Sequence, residues 1–98
     1  MILKDKVAIV TGSGTGIGKG IAEVFAREGA HVVGASLEGD PGRAVIAQIV
    51  KTGGEATYVQ CDISVEEDVK KMIAEALKAY GRVDALVNNA GVQTGQVV

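Results

Sequence analysis

Short apolar segments alternate with segments of helical periodicity along this chain, and this alternation constrains the fold more than any other feature. Strands are predicted at residues 7–10, 31–37, 56–61 and 84–88. Between them, apolar side chains recur at spacings of three and four residues, which predicts three amphipathic helices. Glycine ends each helix, at Gly29, Gly53–Gly54 and Gly81. Strand and helix repeated three times, followed by a strand, predict an α/β fold: a parallel sheet with right-handed crossovers and helices on both faces.

Two of the helix starts carry capping signals. Asp40 precedes Pro41, which predicts an N-cap followed by proline at the first helical position. Ser64 and Glu67 have the spacing of a capping box. The helix that follows them has the clearest apolar stripe in the chain, formed by Val69, Met72, Ile73, Ala76, Leu77 and Tyr80.

The composition narrows the class of protein. Of the 98 residues, 47% are hydrophobic, which is too many for a disordered chain, and only 3% are aromatic, so aliphatic side chains must fill the core. The net charge of −2 leaves no basic stripe for a nucleic acid or an anionic membrane. Charges interrupt the first seven residues, where a signal peptide would be apolar. We therefore expect a soluble, cytoplasmic protein.

The densest run of glycines, TGSGTGIGKG at residues 11–20, directly follows the first predicted strand. A helix that begins just after a strand presents unpaired N–H groups and a partial positive charge, which together attract an anion. Gly12 permits the tight turn, Gly16 permits close approach of a ligand, and Gly18 lets the helix pack against the sheet. The loop therefore predicts a phosphate site.

Two common phosphate-binding patterns are absent from this loop. A P-loop is excluded because Ser13 occupies its first glycine position and Gly20 stands where Ser or Thr is required. Gly12 and Gly14 fit the first half of the strict G-x-G-x-x-G fingerprint, but Ile17 stands at its third glycine. What remains is the pattern T-G-x-x-x-G-x-G.

With two further motifs, this pattern carries a family resemblance. N-N-A-G occupies residues 88–91 at the end of the fourth predicted strand, and Asp62 with Ile63 follows the third. Over nearly its whole length the chain resembles the N-terminal part of the short-chain dehydrogenases/reductases. The resemblance implies one partial, truncated Rossmann-like domain over residues 1–98, with a doubly wound parallel sheet of about four strands in the order 3-2-1-4 that binds NAD or NADP.

The resemblance also implies roles for individual residues. The glycine loop would wrap the diphosphate and the adjacent ribose, Asp62 would accept from the adenine amino group, and Asn88 would steady the sheet. An alternative for Asp62 is that it only caps the turn before Ser64. The residues implied to contact the cofactor are Gly12, Thr15, Gly16, Ile17, Gly18, Ser36, Asp62, Ile63, Asn89, Ala90 and Gly91.

The end of the second strand is where the two nicotinamide cofactors are distinguished. An acidic residue there favours NAD, because it accepts from the 2′-hydroxyl and repels the 2′-phosphate of NADP. This chain has Ser36, which tolerates either cofactor, and Leu37 follows instead of an arginine. Thr15 stands where relatives that prefer NADP often have a basic residue. Glu38 is near enough in sequence to reach the ribose, so the expectation leans slightly to NAD.

Catalysis in the family needs a serine, a tyrosine and a lysine four residues after the tyrosine, all beyond N-N-A-G. Neither tyrosine of this chain has that lysine: Asp62 follows Tyr58 and Asp84 follows Tyr80 at the required spacing. We therefore assign no catalytic residue. The expectation is the dinucleotide-binding portion of an oxidoreductase, inactive alone, whether a truncation, a fragment or a module. The alternative is a non-catalytic nucleotide-binding module that completes its sheet with a partner.

Three further expectations follow from the same sequence. The fourth strand forms an open edge, so we expect self-association through that edge or the helix at residues 66–80. Cys61 has no second cysteine to pair with and is expected to be buried and inert. His31 has no carboxylate or second histidine at ligand spacing, so we expect a surface residue and no metal site.

Overall fold

The computed structural model describes residues 2–14, 16–37 and 39–88. Within them, four strands and three helices alternate, as the sequence predicts. Their bounds, in chain order, are β1 Val7–Thr11, α1 Gly16–Arg27, β2 His31–Ser36, α2 Gly39–Lys51, β3 Glu55–Gln60, α3 Glu66–Tyr80 and β4 Ala85–Asn88. All strand pairs are parallel and the spatial order is β3-β2-β1-β4. The predicted fold class and strand order are confirmed.

The sheet separates two apolar cores. On one face, Val10 and Val32 pack with residues of α1 and α2 such as Ala22 and Ile46. On the other face, Ile9 packs with α3, which contributes a second cluster. Successive strand residues point to opposite faces, so a run such as Val7–Val10 is apolar throughout because both faces are covered.

The helices end as the glycine positions predict. Gly81 follows α3 with φ +78°, and its N–H donates to the Leu77 carbonyl at 2.7 Å. This left-handed residue satisfies a carbonyl that the helix itself leaves unpaired.

Both predictions of helix capping are wrong. Val65, with no side-chain hydrogen bond, is the N-cap of α3, because the Ser64 hydroxyl donates to Asp62 Oδ1 at 2.6 Å instead of capping the helix. A local side-chain hydrogen bond has competed with the cap. Helix α2 begins at Gly39, so Pro41 lies inside its first turn, where a missing N–H costs no helical hydrogen bond.

The prediction that His31 is a surface residue is also wrong. Its side chain is 22% exposed, and Nδ1 lies 2.8 Å from Oε2 of Glu55. The ring stacks on Tyr80 at 4.8 Å between centroids. The register pairs His31 with Glu55 across β2 and β3, so the carboxylate comes from a neighbouring strand that local spacing does not reveal.

No helix in the described part of the chain is both long and apolar enough to cross a membrane.

Candidate functional site

The candidate site lies at the carboxyl ends of the strands, around β1. Thr11, the last residue of β1, pairs with Ala35 of β2 on one side and Asn88 of β4 on the other. The chain winds from β1 through β2 to β3 in one direction, and β4 lies on the opposite side of β1. In open parallel sheets, the reversal creates a crevice where ligands bind.

The loop after β1 exposes the start of α1. Gly12 has φ +65°, and its N–H donates to the Ala35 carbonyl at 2.7 Å, which turns the chain away from the strand. Gly16 opens α1 with φ +57°, and, its chain neighbours and its own helix aside, no atom of the described residues lies within 4 Å of the position that its Cβ would occupy. The first turn of α1 has no acidic residue. The geometry leaves open space and unpaired N–H groups at a helix N-terminus, which suits an anion.

A glycine inside β2 lets this loop lie close to the sheet. A Cβ on Gly34 would be 2.8 Å from the Ser13 hydroxyl oxygen and 2.8 Å from Ile46 Cδ1. Ser13 is fully buried, and its hydroxyl has no hydrogen-bond partner among the described residues. The sequence analysis missed both residues, although a glycine within a strand is a known sign of close backbone approach.

Ser36, at the end of β2, is held by a tyrosine from β3. Its hydroxyl oxygen is 2.8 Å from the Tyr58 hydroxyl, which also donates to the Ser36 carbonyl at 3.1 Å. Gly42, in α2, leaves room for the Tyr58 ring, because a Cβ there would collide with it. Leu37 is 61% exposed beside this cluster. The sequence analysis assigned no role to Tyr58 beyond its place in a strand.

Asp62, after β3, forms the turn that the sequence analysis kept as an alternative. Its Oδ1 accepts from the Ser64 N–H at 3.0 Å and from the Ser64 hydroxyl. These two hydrogen bonds, the hydroxyl first, hold the pKa of Asp62 below its ordinary value, so the carboxylate is charged at neutral pH. The Asp62 N–H donates to Asp68 Oδ2 at 3.0 Å, which ties the turn to α3.

A hydrogen bond joins the ends of β1 and β4. The Thr11 hydroxyl lies 3.1 Å from Asn88 Oδ1 and 3.3 Å from the Val87 carbonyl oxygen. This contact fixes the two strands that border the crevice.

Comparison with known proteins identifies the family. The family model described as short chain dehydrogenase matches residues 6–98. The chain belongs to the short-chain dehydrogenase family. It is 45% identical over 94 residues to tropinone reductase-like 1 from Erythroxylum coca, covering 96% of this chain and 34% of that protein. It is 44% identical over 89 residues to 7alpha-hydroxysteroid dehydrogenase from Escherichia coli strain K12, covering 91% of this chain and 35% of that protein.

A solved structure shares the architecture as well. A metagenomic short-chain oxidoreductase, solved in complex with NADP, superposes with a TM-score of 0.87 at 42% identity, covering 94% of this chain and 42% of that one. This short-chain dehydrogenase chain thus spans about a third of the length of the two relatives named above.

Most of the residues that the resemblance implied for this member of the short-chain dehydrogenase family lie at one edge of the sheet. Gly12, Gly16 and Ile17 lie at the loop, and Ile17 is 71% exposed. Gly18, in the first turn of α1, is buried, and Ile63 packs against the core on the α3 face. Ser36 ends β2, and Asp62 lies two residues after the end of β3. Four expected contacts lie outside the described residues: Thr15, Asn89, Ala90 and Gly91.

The one cysteine of the chain, Cys61, is unsuited to nucleophilic chemistry. Cys61 is buried, as expected, and burial, followed by the charges of Asp68 and Asp62, raises the pKa of its thiol. A protonated thiol is a poor nucleophile. Among residues 2–14, 16–37 and 39–88, no three histidine, cysteine, aspartate or glutamate side chains cluster as metal ligands.

Proposed function

We propose that residues 1–98 form one partial dinucleotide-binding domain, which holds the adenosine and diphosphate part of NAD or NADP for an oxidoreductase. The observation that carries the proposal is the open N-terminus of α1 at Gly16, placed where the winding of the sheet reverses. Gly16 has room above it for a phosphate oxygen, and no acidic side chain in that helical turn opposes the charge. The similar oxidoreductase solved with NADP supports this assignment.

Each part of the cofactor has a group of residues in this proposal. The diphosphate lies against Gly12, Gly16 and the Thr15 hydroxyl, where N–H groups and the helix dipole neutralise its charge. Ile17 and Gly18 complete the segment that wraps the diphosphate and the adjacent ribose. The adenine lies beside Asp62 and Ile63, and Asp62 has one carboxylate oxygen beyond the Oδ1 that Ser64 engages. The ribose lies beside Ser36, and Asn89, Ala90 and Gly91, which lie outside the described residues, are further proposed contacts.

We also propose that the site accepts both cofactors and prefers NAD slightly. Ser36 presents a hydroxyl in place of the carboxylate that would exclude a 2′-phosphate, and Leu37 presents no cation. The charge of Glu38, two residues further on, disfavours the phosphate. Calorimetric titration with NAD and NADP measures the ratio of their dissociation constants, and a tighter complex with NADP would contradict the preference.

Substitution at Ile17 tests the diphosphate site. Ile17 is exposed in the first turn of α1, so Ile17→Asp places a negative charge beside the proposed phosphates with little effect on the core. We expect the Kd for NAD to rise about tenfold through charge repulsion, measured by calorimetry.

Gly20→Asp is the matched control for this charge. Gly20 lies about one turn further along α1 and has open space around its Cβ position. The helix dipole acts mainly within the first turn, so we expect less than about a threefold change in Kd. Equal effects of the two substitutions would place the diphosphate elsewhere, and a wild-type chain that binds neither NAD nor NADP would exclude the function.

We propose that the chain alone transfers no hydride. Neither Tyr58 nor Tyr80 has a lysine four residues later to lower the pKa of its phenol. Carbonyl reduction or alcohol oxidation is proposed only for a longer polypeptide that contains this chain. NADH turnover with a panel of ketones, followed at 340 nm as the absorbance of the reduced nicotinamide, checks this, and turnover that follows the purified chain would contradict it.

A second candidate is a non-catalytic nucleotide-binding module that associates through its sheet. The exposed apolar residues near one side of the fold favour it: Leu86 of β4 is 55% exposed, and Ile73 and Leu77 of α3 are 37% and 47% exposed. We propose that two copies associate through β4 or α3. Saturation by ADP without measurable binding of NAD or NADP would favour this candidate, because the leading proposal requires the two dinucleotides themselves to bind.

A further inference from the structure

One basic side chain lies beside Tyr58, the residue that contacts Ser36 at the end of β2. The Arg43 guanidinium carbon is 5.2 Å from the centroid of the Tyr58 ring, in a cation–π arrangement. The hydroxyl of the same tyrosine contacts the Ser36 hydroxyl at 2.8 Å. Tyr58 therefore connects Arg43, in α2, to the end of β2.

Packing fixes the tyrosine between these two groups. Tyr58 pairs with Gly34 in the sheet and packs against the core on the α1 and α2 face. Its ring passes beside Gly42, where any larger residue would collide with it. Because Gly42 immediately precedes Arg43, the packing of the Tyr58 ring against Gly42 also fixes the position of the Arg43 backbone relative to that ring. The position of Arg43 is therefore determined in part by the packing of Tyr58 against the core, and not by its side-chain rotamer alone.

The arginine is available for a ligand. Its side chain is exposed, and no carboxylate among the described residues lies within ion-pair distance of it. A guanidinium has five N–H donors in a planar fork, which matches the oxygens of a phosphate group. Ser36 lies on the same side of the sheet as Tyr58. Tyr58 pairs with Gly34, and Ser36 lies two residues after Gly34 in the same strand.

We propose that Arg43 is the specificity-determining residue that lets this site accept the 2′-phosphate of NADP, and that Tyr58, held at Ser36 by its hydroxyl, is the positioning residue that orients Arg43 toward it. The inference rests on the proposed dinucleotide site. Arg43 supplies a cation that the sequence around Leu37 lacks. This cation comes from α2 and not from the residue that follows β2. The phosphate oxygens accept from the guanidinium of Arg43, while NAD, which lacks this phosphate, does not use Arg43.

Paired titrations of the whole chain with NAD and NADP test the inference. Arg43→Gln keeps a polar side chain of similar length and removes the charge. We expect the Kd for NADP to rise about tenfold, the size of one lost charge-assisted hydrogen bond, and the Kd for NAD to stay within about twofold. The matched control is Arg27→Gln, which removes the same charge from the last turn of α1. The control should leave the ratio of the two constants unchanged.

Two further variants separate recognition from general charge and from folding. Arg43→Lys keeps the charge without the planar fork, and we expect about half of the loss on a logarithmic scale. Tyr58→Phe removes the hydroxyl at Ser36 and keeps the ring under Arg43. We expect it to weaken NADP binding about threefold and to spare NAD, whereas a purely structural role would weaken both equally.

The outcomes distinguish this inference from the proposed function. NADP binding that is unchanged in Arg43→Gln, or NAD and NADP weakened equally, overturns the role of Arg43 and leaves the dinucleotide site standing. Wild-type protein that binds NAD but not NADP also overturns the role of Arg43 and leaves the dinucleotide site standing. Wild-type protein that binds neither cofactor overturns both proposals.

Discussion

At the scale of single residues, the site depends on glycines, because the absence of a side chain leaves room for neighbouring groups. Gly34 faces the buried Ser13 hydroxyl and Ile46, and Gly42 faces the Tyr58 ring, so both positions exclude even a methyl group. Gly16 is different, because it is open and takes a positive φ. The sequence predicted the loop glycines from their motif. It did not predict Gly34 and Gly42, because their neighbours come from α2 and β3, far along the chain.

Gly34→Ala should destabilise the fold. The added methyl group would lie 2.8 Å from both the Ser13 oxygen and Ile46 Cδ1, and relief requires displacement of the loop or of α2. Overpacking of this kind costs about 1–3 kcal/mol of unfolding free energy, measured by urea denaturation. Gly20→Ala is the control, because its Cβ position is open and alanine favours a helix by up to about 1 kcal/mol. Equal stability of wild type and Gly34→Ala would contradict the close contact.

At the scale of elements, periodicity and glycine stops predicted every strand and helix in the described residues. The observed bounds of the elements differ from the predicted bounds where side chains form local hydrogen bonds. Asp84, predicted as the first residue of β4, lies just before it, because its Oδ2 accepts from the Val7 N–H at 2.8 Å while its N–H donates to the Val7 carbonyl. The Ser64 hydroxyl likewise donates to Asp62 and does not cap α3. Such contacts depend on the completed sheet, which local patterns do not contain.

The Asp84 contact between β1 and β4 should make stability depend on pH. Hydrogen bonds from Arg82 first, and then from the Val7 N–H, lower the pKa of Asp84 below its ordinary value of 3.8. The folded carboxylate therefore stabilises the protein above about pH 4, and this contribution is lost as pH falls through the lowered pKa. Asp84→Asn should be less stable than wild type at pH 7, and the difference should shrink below pH 4.

Urea denaturation of both proteins at pH 7, 4 and 3 measures this difference. Asp62, whose pKa is also lowered, titrates in both proteins and cancels in the comparison. A difference in unfolding free energy that stays constant from pH 7 to pH 3 would mean that the charge of Asp84 does not stabilise the fold.

At the scale of the whole molecule, the two cores cover the sheet unevenly. Leu86 pairs in register with Ile9 and therefore lies on the same face, yet Ile9 is fully buried and Leu86 is 55% exposed. Helix α3 packs over β1, β2 and β3. The sequence predicted this apolar edge from the strand order, but the neighbour that covers it in solution is not specified by the fold.

Leu86→Lys should weaken self-association. A charged side chain on an open edge disfavours pairing with a second strand, and Leu86 contributes little to the core that is already formed. Sedimentation or light scattering over a range of concentrations should show a shift toward monomer. Ile2→Lys adds the same charge at a site 83% exposed and away from the edge, so its assembly should match wild type. A wild-type chain that is monomeric at all concentrations would contradict the proposal.

The pairing of β1 with β4 also determines when a binding crevice first exists. The Val7–Asp84 hydrogen bond spans 77 positions of sequence, and closing so long a loop has an entropic cost that short-range contacts avoid. During synthesis, β1 leaves the ribosome long before its second neighbour, whereas β2 is available after one helix. A nascent chain can thus assemble three strands and still have only one wall of the crevice, so capture of a nucleotide must wait for the last of the four strands to emerge.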